Sequence, residues 1–124
     1  MAEYKVLIVD DSTYMRKQIG DILFPCEEIK IVGQAASGEA AIDMAMEKMP
    51  DLMTLDNILP DMRGLDVLQA LRPLLPKTKY LMISAVGQQS VIDEAFELGV
   101  SDYLVKPIDF NRLTLKITEI LKGQ

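Results

Sequence analysis

Two kinds of hydrophobic pattern alternate along the chain. Short runs rich in branched apolar residues read as strands buried on both faces. Val6-Leu7-Ile8-Val9, Leu52-Met53-Thr54-Leu55, Tyr80-Leu81-Met82-Ile83 and Tyr103-Leu104-Val105 are of this kind. Ile29-Lys30-Ile31-Val32 alternates instead, which predicts an edge strand with Lys30 in water. Between the runs, apolar residues recur at helical spacing. Met15, Ile19, Ile22 and Leu23 form one stripe, stopped by Pro25. Ala41, Met44, Ala45 and Met49 form a second, with Ser37 as N-cap and Pro50 as the stop. Leu65, Leu68 and Leu71 mark a third between Gly64 and Pro73. Val91, Ala95 and Leu98 mark a fourth, closed by Gly99 as C-cap. Phe110, Leu113, Ile117, Ile120 and Leu121 mark the last, capped by Asp109.

Five strand–helix units follow, with no stretch long enough for a linker. The expected fold is a five-stranded parallel α/β sheet with helices on both faces and right-handed crossovers, one domain over residues 1–124. Composition narrows what such a domain does. Of 124 residues, 49% are hydrophobic, enough for a real core, and disorder is excluded. Nineteen acidic against 13 basic residues give a net charge of −6, so nucleic acids and anionic membranes are not expected partners. With no histidine, imidazole zinc sites and histidine acid–base catalysis are excluded. The single cysteine, Cys26, forms no intrachain disulfide. No apolar run approaches the ~20 residues of a membrane span, and Met1-Ala2-Glu3-Tyr4 opens without a signal peptide. A cytoplasmic location is expected. The eight methionines are expected to fill gaps in the core, with Met15, Met44, Met49, Met53 and Met82 at predicted core positions.

Parallel sheets bind ligands beyond the carboxyl ends of their strands. Strand one ends in Asp10-Asp11, strand three in Asp56, strand four in Ser84-Ala85 and strand five in Lys106-Pro107. Singly, each has an ordinary explanation: a helix cap, a turn, a solvated charge. Jointly, three carboxylates, a hydroxyl and an ammonium converge on one rim. Clustered carboxylates repel, and a divalent cation relieves the cost. An all-oxygen site suits Mg²⁺ or Mn²⁺. A carboxylate beside such a cation and a lysine is a competent nucleophile toward phosphorus.

The segments V-L-I-V-D-D-S, L-D-N-I-L-P-D-M-R-G, S-A-V-G-Q-Q and D-Y-L-V-K-P, in this order on five βα units, resemble the receiver domain of two-component response regulators. The resemblance covers essentially the whole chain. It implies the flavodoxin-like strand order 2-1-3-4-5. It implies that Asp56 accepts a phosphoryl group from a histidine kinase. Asp11, Asp56 and the backbone carbonyl of Ile58 would hold Mg²⁺, with Asp10 acting through water. Lys106 would bridge acid and phosphoryl group, and its bond to Pro107 is expected cis. Ser84 takes the place of the switch hydroxyl and Tyr103 that of the switch aromatic. Phosphorylation would then remodel the surface of the fourth helix, fifth strand and fifth helix for a downstream protein target. A monomer is expected. Because the sequence stops at Gln124 without an output domain, effects are expected to pass through a partner, or the chain is a receiver cut from something longer. Chemotaxis, phosphorelay and other adaptor roles are all compatible with it.

The chain departs from the family pattern at Ile58, Leu59 and Arg63. Neither Ile58 nor Val86 can orient a water, so slow self-hydrolysis is expected. The runner-up reading is a Mg²⁺-dependent phosphatase using the same aspartyl chemistry. It needs a second acid two residues past the nucleophile, where this chain has Ile58, and a substrate-covering cap domain. A flavin or nucleotide carrier would need a phosphate cradle after strand one, which Asp10-Asp11 would repel.

Overall fold

The computed structural model describes residues 3–123. Residues 1, 2 and 124 of the expected domain span lie outside the described residues. Five strands and five helices alternate: β1 Tyr4–Val9, α1 Thr13–Leu23, β2 Ile29–Ala35, α2 Gly38–Lys48, β3 Leu52–Leu55, α3 Gly64–Leu71, β4 Lys79–Ser84, α4 Gln89–Leu98, β5 Asp102–Val105 and α5 Phe110–Leu121. The sheet is parallel in the order β2-β1-β3-β4-β5. This is the expected fold. β2 and β5 are the two edge strands: Lys30 is exposed on β2, and on β5, expected to be buried on both faces, Val105 is 45% exposed because no strand lies beyond it.

Successive strand residues point to opposite faces, so an unbroken apolar run feeds two cores at once. Val6, Ile8, Leu52, Leu81, Ile83 and Leu104 pack with Ile19 and Leu23 of α1 and Leu113 and Ile117 of α5. Leu7, Val9, Met53, Leu55, Tyr80 and Met82 pack on the other face with residues of α2, α3 and α4, among them Ala41, Leu68 and Ala95. The predicted helix ends hold. Ser37 Oγ accepts from Ala40 N, Asp109 accepts from Asn111 N and Arg112 N, and Gly99 closes α4 at φ 104°. The left-handed backbone there explains the glycine.

Two more residues leave their expected places. Met49 does not continue the α2 stripe into the core. It is the C-cap, at φ 49°, and is 60% exposed. Pro50 forces the chain out of the helix, and the turn carries Met49 outward with it. Phe110, counted with the apolar stripe of α5, stands exposed at the helix start. Of the other methionines, Met53 and Met82 are fully buried, while Met15 and Met44 pack at the core margins. β2 also runs three residues past the expected Val32, to Ala35.

Candidate functional site

Because all five strands run the same way, their carboxyl ends share one rim, and the rim gathers the residues predicted for it. β1 delivers Asp10, which is 1% exposed. Its Oδ1 accepts from Ser12 N at 2.9 Å and its Oδ2 from Lys106 Nζ at 2.7 Å. Asp11 follows, exposed at the mouth of the site. Ser12 caps α1 by accepting from Met15 N, so this loop serves both the helix and the site. β3 delivers Asp56, buried, with Oδ1 accepting from Ile58 N at 3.2 Å and Oδ2 facing Lys106 Nζ at 3.2 Å. One ammonium thus bridges two carboxylates from strands 46 residues apart in sequence. Carboxylate oxygens of Asp10, Asp11 and Asp56 all lie within 4.8 Å of one another.

The electrostatics show strain and partial relief. Burial, more than any other cause, pushes the Asp56 carboxyl above its ordinary range. The Ile58 N–H and the Lys106 charge pull it back, and the Asp10 charge adds to the rise. For Lys106, burial acts to lower the value, but the hydrogen bond to Asp10 and the charges of Asp56 and Asp10 outweigh it. The ammonium is therefore held above its usual range. A buried acid that resists ionisation, beside two further carboxylates and one cation, fits a second, divalent cation. The all-oxygen donor set suits Mg²⁺ or Mn²⁺.

β4 delivers Ser84, fully buried, whose Oγ accepts from Val86 N at 3.2 Å. Tyr103 of β5 is buried, with its ring in the sheet–helix core. Its hydroxyl donates to Val86 O at 2.5 Å. Burial raises the phenol pKa, with Ser84 opposing. Ser84 and Tyr103, paired by expectation, meet the same backbone residue: Val86 donates its N–H to Ser84 Oγ and accepts from the Tyr103 hydroxyl. The Lys106–Pro107 peptide is cis, as expected. Ile58 is 57% exposed at the rim and forms an isolated antiparallel bridge with Arg63.

Sequence reasoning missed three contributors. Arg16 of α1 donates to the Asp10 backbone carbonyl at 2.7 Å. The Arg63 guanidinium forks onto Glu94 of α4, at 3.2 and 3.1 Å, and contacts Asp66. Asp61 accepts from two amides at the start of α2, Gly38 N at 2.8 Å and Glu39 N at 2.9 Å. Each partner lies across the fold or on another turn, and no local motif announces it.

A doubly wound parallel sheet in the order 2-1-3-4-5, with three clustered acids and a lysine at its carboxyl rim, defines the class of flavodoxin-like α/β domains. Comparison with known proteins makes the class definite. The sequence profile of the response regulator receiver domain matches residues 6–118, and the chain belongs to that family. It is 33% identical over 118 residues to the chemotaxis protein CheY of Thermotoga maritima, spanning 95% of this chain and 98% of that one. It is 35% identical to CheY of Bacillus subtilis with the same coverage. Among solved structures it is similar to the CheX–CheY–BeF₃–Mg²⁺ complex from Borrelia burgdorferi. There the TM-score is 0.89 at 30% identity, covering 96% of this chain and 90% of that chain. The receiver domain of NarL from Mycobacterium tuberculosis superposes with a TM-score of 0.93 at 27% identity, over the full length of both.

Proposed function

We propose that the chain is a phosphoacceptor switch of a two-component system. A histidine kinase supplies the phosphoryl group, Asp56 receives it and a protein target reads the result. The observation that carries this reading is the Lys106 ammonium bridging Asp10 and Asp56, with Asp11 at the same cluster. An Asp56 carboxylate oxygen attacks phosphorus, forming an O–P bond as the N–P bond of the donor phosphohistidine breaks. The imidazole leaves with the bonding electron pair and takes up a proton. Lys106 neutralises charge on the equatorial phosphoryl oxygens as they pass from donor to acceptor. Asp11, Asp56 and the Ile58 carbonyl would hold Mg²⁺, with Asp10 outside them. When bound, that cation supplies charge neutralisation for the carboxylates and the phosphoryl oxygens. Ser84 holds a product oxygen through its hydroxyl, exchanging its contact with Val86 N.

The switch acts by population shift, through the preference of the phosphorylated site for one arrangement of Ser84 and Tyr103. The α4–β5–α5 elements carry exposed Phe96, Val105 and Leu115, apolar side chains suited to a protein target. The related CheY complex with CheX supports a role in which a receiver of this kind engages a partner protein. The chain acts as a phosphoacceptor rather than a phosphatase, since Ile58 offers no second acid beside Asp56. No helix among the described residues is long and apolar enough to cross a membrane.

The direct test is labelling by a small phosphodonor such as acetyl phosphate. Wild-type chain should label with Mg²⁺ and not with a chelator. Asp56→Ala should abolish the label, and a variant that labels at wild-type level would overturn the assignment.

A further inference from the structure

We propose that Asp61 is a positioning residue for the cation and phosphoryl site: it locks the tip of the 57–63 loop onto the start of α2 and so holds the Ile58 backbone beside Asp56. This deepens the phosphoacceptor reading and rests on it. The loop leaves β3 directly after Asp56 and returns to α3 at Gly64. Its neck is closed by Gly64 N donating to Asn57 O at 2.8 Å, by Leu65 N donating to Asn57 Oδ1 at 3.1 Å, and by the Ile58–Arg63 bridge. The tip beyond the neck has Asp61 as its anchor. The two Asp61 oxygens take separate amides, Oδ1 from Gly38 and Oδ2 from Glu39.

These amides are orphan donors of the first turn of α2, at the positive end of the helix dipole. Ser37 Oγ takes the third, from Ala40 N, so the α2 cap is shared between its own residue and a loop 22 or 23 positions later. A carboxylate there makes charge-assisted bonds, stronger than neutral ones. The adjacent Met62 closes the contact. A β-carbon on Gly38 would fall 2.3 Å from Met62 Cγ, so loop and helix touch with no room for a side chain. Those two backbone hydrogen bonds hold the Asp61 carboxyl below its ordinary range, in keeping with a carboxylate at a helix N-terminus.

Asp61 is three residues from Ile58, and Pro60 between them has a fixed φ. Few free torsions therefore separate the anchor from the residue that donates to Asp56 Oδ1 and whose carbonyl the cation would need. A tip released from α2 lets Ile58 drift and loosens the oxygen cage.

The test separates positioning from simple capping. Mg²⁺ affinity is read from amide chemical shifts, and stability from the thermal midpoint, for wild type, Asp61→Ala, Asp61→Asn and the double variant Ser37→Asp/Asp61→Ala. The double variant returns a carboxylate to the α2 N-terminus without tying it to the loop. Asp61→Ala is expected to lower the midpoint and to weaken Mg²⁺ about tenfold, as for other groups that orient metal ligands. Asp61→Asn, which keeps one acceptor oxygen, is expected to fall between. The double variant should regain the midpoint but not the Mg²⁺ affinity. Unchanged affinity in Asp61→Ala, or affinity regained together with stability in the double variant, would leave Asp61 a helix cap only. If wild type itself shows no Mg²⁺-dependent shifts near Asp11 and Asp56, the phosphoacceptor reading fails first and this proposal falls with it.

Discussion

Tyr80 sits fully inside the layer between sheet and helices, and its hydroxyl has no hydrogen-bond partner among the described residues. A buried donor left unmade costs on the order of 1–3 kcal/mol. Tyr80→Phe removes the donor and keeps the ring, so it should stabilise the chain by about 1 kcal/mol in urea denaturation. Burial also pushes the phenol up to about 12, with the Arg72 charge opposing. The folded state thus holds this proton longer than the unfolded chain does. Stability is indifferent to Tyr80 below pH ~10 and falls as pH rises from there toward about 12, by up to about 3 kcal/mol. The advantage of Tyr80→Phe should therefore widen above pH ~10; an advantage that stays constant would show that the phenol does not titrate as buried. A second residue bears on the lifetime of the proposed aspartyl phosphate. Ile58 is exposed at the rim and has no polar side-chain atom to align a water. Ile58→Asn should shorten the half-life of the aspartyl phosphate, measured by loss of label after donor removal. A lifetime equal to or longer than that of wild type would count against the role of this position.

Local signals named the helix ends because caps are local chemistry. Ser37, Asp109 and Gly99 each act within four residues of their own position. Asp109→Ala should cost about 0.5–2 kcal/mol, the usual range for a lost side-chain cap, since two α5 amides lose their acceptor. The Asp61 cap was illegible for the opposite reason: its partners precede it by more than twenty residues, and nothing near it marks them. Met49 was misplaced because helical spacing continues through it, whereas Pro50 ends the helix and the turn exposes the side chain. Arg63 illustrates how little some contacts weigh. It ties the acceptor loop to α4 by a fork onto Glu94, yet both side chains are about half exposed. Solvent screening limits such a pair, and Arg63→Ala should change stability by less than about 1 kcal/mol.

At the scale of the molecule, parallel topology turns distances along the sequence into proximity. That is why the site was legible from strand ends alone, although the direct Lys106–Asp10 bond spans 96 residues. The same convergence has a cost that stability should reveal. Burial and the Asp10 charge hold the Asp56 carboxyl above its ordinary range, so its ionisation opposes folding. The sign follows: stability falls as pH rises from the ordinary carboxylate value of about 3.9 through the elevated one, and stays reduced at neutral pH. Asp56→Asn removes that ionisation and leaves the Lys106–Asp10 pair in place. Without metal, at neutral pH, the variant should melt at a higher temperature than wild type. Its advantage should shrink in acid, where the wild-type carboxyl is already protonated. Mg²⁺ should act oppositely. A cation that binds only the folded chain adds about 2.7 kcal/mol at one hundred times its dissociation constant. Wild type should receive that increment, and Asp56→Asn, short of one anionic ligand, much less of it. Melting both chains with and without Mg²⁺ across this pH range distinguishes the outcomes. An equal Mg²⁺ increment in the two would mean that Asp56 is not part of the cation site.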